Sequence, residues 1–138
     1  MAADAAWVAE RRVLIEAATK NREAERLDYE SLHKDYSESV LTLERAIAVL
    51  KELPDKEQAE PALMQVKEMK FLSQELEAVL DDFFQRELVR PSFWLQGSMQ
   101  AWLEVGLEEI VAKRTALENH EVNRNHAYTA ITTAWAAP

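Results

Sequence analysis

Apolar residues along this chain recur in steps of three and four, over long stretches free of helix-breaking residues. Residues 5–53 contain neither Gly nor Pro, and their apolar seam runs Tyr29, Leu32, Tyr36, Val40, Leu43, Ile47, Leu50, Leu53. Side chains at that spacing form one stripe along one side of an α-helix. The pattern therefore predicts a single helix over 5–53, roughly 70 Å long at about 1.5 Å rise per residue. Asp4 stands where an N-cap carboxylate would accept hydrogen bonds from the first free amides. The opening turns carry Trp7, Val8, Val13, Leu14 and Ile15, more apolar residues than one stripe requires, which implies contacts on two sides. From Lys20 to Arg26 the helix is polar nearly all round, with Ala24 its one apolar residue. Glu16–Lys20 and Glu30–Lys34 are i,i+4 pairs, each contributing a few tenths of a kcal/mol.

Pro54 ends this helix, since it disfavours helical geometry in its predecessor and cannot donate to the ladder. Residues 54–61 read as a connector. A second helix follows over 61–71, with Pro61 in its first turn and Leu63, Met64, Val66 and Met69 on its apolar side. Ser73 can cap a third helix over 73–88, whose stripe is Leu76, Val79, Leu80, Phe83, Phe84 and Leu88, with Asp81 and Asp82 facing water. Residues 90–97 read as a second connector, broken by Pro91 and carrying Phe93, Trp94 and Leu95. Aromatic residues in such a loop either fold back over a core end or form a partner-binding patch. Ser98 can cap a last helix over 98–136, with a seam of Met99, Trp102, Ile110, Leu117, Tyr128, Ile131 and Trp135. Gly106 lies on the same side; it costs about 1 kcal/mol of helix propensity and allows another backbone to come close.

Together these elements predict an all-α fold in one domain, residues 1–138. It is a long antiparallel helical hairpin of coiled-coil type with the two short helices near the turn end. The expected register sets Leu50 near Trp102, Leu43 near Ile110, Tyr36 near Leu117 and Trp7 near Trp135. The polar middles around Arg22 and around His120–Arg124 then fall opposite one another.

Composition sharpens this picture. In 138 residues there are two glycines, four prolines and four tryptophans, and the formal charge is −9. A chain of this length is expected to form one domain, and its residue usage suits long helices. The acidic balance disfavours nucleic-acid phosphates and suits protein partners, divalent cations or plain solubility. The absence of cysteine excludes thiol catalysis, disulfides and cysteine zinc sites. Met1–Glu10 has no signal-peptide pattern, and no apolar run approaches the roughly 20 residues of a membrane span. The chain reads as soluble, either as it stands or as a processed piece of something longer.

Candidate chemistry is sparse. His120-Glu121 followed by His126 comes nearest to a catalytic motif, but a zinc helix needs its second histidine where Arg124 stands. His33 reads as a flank residue of the seam. Glu108-Glu109, Glu75/Glu77 and Asp81-Asp82 could hold calcium weakly at the surface, though none has the spacing and central Gly of a calcium loop. No cofactor is expected, and no phosphate loop or nucleophile elbow is present. Trp7, Phe93, Trp94, Trp102 and Trp135 are the candidate partner-binding residues.

Three stretches carry a family resemblance. They are Ala17-Ala18-Thr19-Lys20-Asn21-Arg22-Glu23-Ala24-Glu25 continuing to Leu27-Asp28-Tyr29; His33-Lys34-Asp35-Tyr36-Ser37-Glu38-Ser39 with Leu43 to Lys51; and Leu117-Glu118 with Asn125-His126-Ala127-Tyr128. In that order they resemble dinoflagellate coiled-coil proteins that are similar to the trichocyst matrix proteins of ciliates. The resemblance covers about half the chain. It implies a secreted, acidic helical protein, matured by proteolysis and packed into a crystalline or fibrous matrix that calcium expands on discharge. The chain departs from that family in its length, its lack of a signal peptide and its four tryptophans. The function expected is structural and non-catalytic, by self-assembly or protein partnership, in a secretory organelle if the resemblance holds. The alternative is a small accessory or linker subunit docking onto a larger, possibly organellar, complex.

Overall fold

A computed structural model describes the backbone of residues 2–52, 56–85 and 93–136, and the side chains of residues 5–52, 59–85 and 99–134. Four helices follow in order: α1 (Ala2–Glu52), α2 (Lys56–Glu68), α3 (Gln74–Gln85) and α4 (Phe93–Ala136). The described residues contain no strand. The architecture is the all-α antiparallel hairpin expected from the seam spacing, with the two short helices between its long ones. The chain divides into two compact units, one formed by Met1–His33 with Ala116–Pro138 and the other by Lys34–Thr115.

Several element boundaries differ from expectation, each for a local reason. Helix α1 already includes Asp4, so that residue is not its N-cap. Helix α2 starts at Lys56, ahead of the expected 61, and Pro61 lies inside it. The earlier start brings Ala59 into the core, 1% exposed, on one stripe with Leu63 and Val66. That burial offsets the one intrahelical bond lost at the proline nitrogen. Helix α4 begins at Phe93, so Phe93, Trp94 and Leu95 are helical and Ser98 lies inside the helix. None of Phe93 to Gln96 opposes helical geometry, and the proline ahead of them in sequence does not bar a helix that follows it. Their side chains, and those of Trp135 and Leu88, lie outside the described residues.

The Lys34–Thr115 unit holds the core. Val40, Leu43, Ala46, Ile47 and Leu50 of α1 pack with Leu63 and Val66 of α2, Leu76, Leu80 and Phe83 of α3, and Met99, Leu103 and Ile110 of α4. Ser73 caps α3 as expected: its Oγ accepts from the Leu76 amide at 3.2 Å, and its carbonyl accepts from Glu77 at 2.9 Å. The elbow between α2 and α3 puts Phe71 at a φ of 65°, a left-handed conformation unfavourable for a bulky residue. Its ring packs on Tyr36, 4.7 Å between centroids. Below it, buried Ser39 donates to the Lys70 carbonyl at 3.2 Å. Lys67 bridges to Asp81 at 2.9 Å, tying α2 to α3.

Gly106 is placed as its small size suggests. A Cβ there would stand 3.2 Å from Leu76 Cδ2 and 3.9 Å from Leu43 Cδ1, so the glycine lets α3 and α1 approach α4. Leu43 thus meets Gly106, about one helical turn from the Ile110 level expected. The Ser37 and Arg114 side chains meet at 3.4 Å, close to the expected Tyr36–Leu117 level. Trp102 is a correction: it is 38% exposed, and Leu103 is the buried residue.

Leu41 and Leu43 are neighbours in sequence with opposite surroundings, 46% and 0% exposed. Leu43→Ala is expected to lower unfolding free energy by about 2–5 kcal/mol, and Leu41→Ala by about 0.5 kcal/mol or less. Urea denaturation followed by far-ultraviolet circular dichroism measures both.

Candidate functional site

In the Met1–His33 and Ala116–Pro138 unit, α1 and α4 run antiparallel and meet through polar side chains. Thr19 Oγ1 lies 2.9 Å from the Tyr128 hydroxyl and also donates to the Ile15 carbonyl at 2.8 Å. Arg22 Nη2 donates to Glu121 Oε1, with the two side chains only 11% and 12% exposed. Arg22 Nη1 lies 3.5 Å from Glu25 but, like Glu121 Oε2, has no hydrogen-bond partner. His33 Nε2 stands 3.8 Å from Glu118, and its ring stacks at 5.3 Å on Tyr29. The polar middles therefore do fall opposite one another. They set the pairing of the two helices by matched hydrogen bonds, since a slip by one turn would leave Arg22 and Glu121 desolvated without each other.

What this unit lacks is a buried apolar centre: none of its described side chains is fully buried. Several of its large apolar residues stay in the open, Trp7 at 55%, Val13 at 62% and Leu27 at 63%, with Val8, Leu14, Val122 and Ile131 also exposed, while Ile15, Leu32 and Leu117 are half-buried. At about 100° of helical rotation per residue the exposed ones on α1 fall on separate strips. Trp7 and Leu14 share one and Val13 and Leu27 a second, roughly 130° away, while Val8 lies on the line of Ile15, Thr19 and Arg22 that faces α4. Exposed apolar side chains thus stand on two strips of α1 outside the line that meets α4, so the crowded opening turns do carry apolar residues on more than one side.

Of the partner-binding residues read from sequence, Trp7 and Trp102 are exposed at the surface of their own units. The Arg11 guanidinium lies over the Trp7 ring, 4.1 Å from its centroid, a cation–π contact that leaves much of the indole open. Phe93, Trp94 and Trp135 sit in helical backbone, their side chains outside the described residues. Val105 is 47% exposed one turn from Trp102 and was not singled out from sequence. The signal for it was the four-three-four spacing of Met99, Leu103, Gly106 and Ile110, a seam that leaves both Trp102 and Val105 outside.

The concave sites described are open grooves lined by polar and apolar atoms together. A groove of about 350 Å³ in the Lys34–Thr115 unit is lined by Asp35, Glu38, Ser39 and Thr42 from α1 and Gln65, Glu68, Met69 and Lys70 opposite. Lys70 reaches Asp35 across it at 3.2 Å, and Glu38 and Glu68 leave the lining acidic. A groove of about 210 Å³ in the other unit has Ala18, Ala127 and Ile131 among Arg22, Glu25 and Arg124. His120 and His126 are exposed, and Glu121 is turned to Arg22. Among the described residues no three His, Asp or Glu side chains converge as a metal site, and no helix is long and apolar enough to cross a membrane. No protein-family model, curated protein or solved structure matches the chain.

The Arg22–Glu121 pair makes a direct test of the helix pairing. Arg22→Met is expected to destabilise by about 1–3 kcal/mol, because Glu121 then stays desolvated without a partner. The double change with Glu121→Leu should recover most of that loss. A double-mutant cycle by thermal denaturation reads the coupling.

Proposed function

We propose that this chain is a non-catalytic structural protein whose copies assemble into a larger protein matrix or filament, of the kind that the trichocyst-matrix resemblance implies. The observation that carries this reading is the exposed apolar surface on two strips of α1, Trp7 with Leu14 and Val13 with Leu27, in a unit whose described side chains form no buried apolar centre. A partner that docks once covers one side of a helix; repeated contacts between copies cover several. Exposed Trp, Val and Leu in this number on a charged chain point to surfaces covered by protein in use. The acidic balance supports protein rather than nucleic-acid partners, and Glu75, Glu77, Glu108 and Glu109 stand exposed where calcium could act on packed copies.

A second reading is a small accessory subunit that docks stoichiometrically onto a larger complex. It is supported by the Lys34–Thr115 unit, whose own core lets the chain fold before a single partner covers the apolar arm.

Sedimentation across a concentration series, with and without millimolar calcium, tests the choice. The assembly reading expects species that grow with concentration and shift in size with calcium. A monomer at every concentration, indifferent to calcium, would instead favour the docking subunit.

A further inference from the structure

The side of α1 turned away from α4 carries a second periodic line. Thr19 and Arg22 mark the line that meets α4. About 180° round the helix from it, Ala6, Glu10, Val13, Ala17, Lys20 and Ala24 recur in steps of four and three, and each of them is exposed. Leu14 lies along one margin of this line and Leu27 along the other, both exposed. Four-and-three spacing is that of a coiled-coil seam, and the alanines in it keep a neighbouring backbone at less distance than larger side chains would. The seam holds one acid, Glu10, and one base, Lys20, and neither is in an ion pair among the described residues. Residues three and four away from Glu10, its surface neighbours on the helix, are Ala6, Trp7, Val13 and Leu14. The Glu10 carboxylate therefore stands in an apolar surround, with no cation beside it on that face.

Resting on the assembly reading above, we propose that this seam is covered by the same seam of a second copy of the chain, running antiparallel about a two-fold axis. When Glu10 is set level with Lys20 of the other copy, Val13 falls level with Ala17 and Ala6 with Ala24, each pair formed twice by the symmetry. Each valine then packs over an alanine, and the one acid of each seam meets the one base of the other. Leu14 lies beside the axis, next to Leu14 of the other copy. Shifted by seven residues, Glu10 would face Val13 or Leu27 and Lys20 would face an alanine, leaving both charges unpaired against apolar side chains. A parallel pair in register would set Glu10 on Glu10 and Lys20 on Lys20, which like-charge repulsion disfavours. Polar residues at seam positions fix register and orientation in this way, at some cost in stability. Glu16 of the two copies meet at the rim, where water screens them and Lys20 of the same chain is one turn away. A two-fold contact closes on itself, so Trp7 and Leu27, towards the edges of the face, remain for the further contacts that a growing assembly requires.

A charge swap within the full chain tests this register. The variants are Glu10→Lys, Lys20→Glu and the two changes together. Both positions are exposed, and circular dichroism with a melting curve checks that each variant keeps its helices. In sedimentation, each single variant is expected to self-associate roughly tenfold or more weakly than the unaltered chain, since lysine then faces lysine or glutamate faces glutamate. The double variant should recover association, because each acid again faces a base, and so should an equimolar mixture of the two single variants. Glu10→Lys lowers the net negative charge of the chain and Lys20→Glu raises it. A general effect of net charge would therefore move the two in opposite directions, whereas the proposed contact weakens both. If the unaltered chain assembles and the single variants assemble equally well, the antiparallel contact is overturned while the assembly reading stands. Weakening of only one single variant, or a double variant that does not recover, overturns the contact as well. An unaltered chain that remains monomeric at every concentration overturns both.

Discussion

A helix has no interior for its own apolar stripe, so the fold depends on what covers the stripe of α1. In the Lys34–Thr115 unit three helices do so. Leu43 is enclosed by α3 and α4 at Gly106, where α4 has no side chain to hold them off. Leu76 closes that contact, and Ser73 fixes where its helix starts. Burial there removes large aliphatic side chains from water at about 25 cal/mol per Å², and the strained Phe71 is held by its packing against Tyr36.

The other unit faces the same constraint with only α1 and α4 to meet it. Two helices bury one narrow line between them, and here that line is largely polar: Thr19 with Tyr128, Arg22 with Glu121, His33 with Glu118. Such contacts specify which residues pair, while contributing less stabilisation than apolar burial would. The apolar residues that remain sit largely on other sides of α1, where no described residue buries them. Specific pairing inside and uncovered apolar strips outside suit a protein that completes its burial against other chains.

Much of this was readable from residue spacing. The long first helix, the Ser73 cap, the close approach at Gly106 and the opposed polar middles all rest on local chemistry or a long periodic pattern. The misreadings came where two readings of the same residues differ only in their neighbours. Pro61 was placed in a first turn because proline is favoured there, but buried Ala59 draws the helix back to Lys56. Phe93 and Trp94 were taken as loop because of Pro91, although a proline outside a helix does not bar the helix that follows. Trp102 was placed on the seam for its size, and the adjacent Leu103 is the residue enclosed. Of the surface residues, Trp7 stood out because the opening turns hold more apolar residues than one stripe can use. Val105 did not, since one valine in an apolar stretch signals nothing until the seam's phase is known.

The sequence by itself determined that this is an all-helical chain, where its helices run to within a few residues, and that its charge is strongly acidic. These properties depend on backbone geometry, propensity and composition, which act over a few neighbouring residues. Only the tertiary structure decided which apolar residues are covered and which are left to water. That depends on how many helices reach a given stretch of α1, and on the phase at which they meet it. Because a neighbouring pair such as Trp102 and Leu103 lies about 100° apart on a helix, a small change of phase exchanges core for surface. The apolar surfaces that this chain leaves exposed are therefore set by packing.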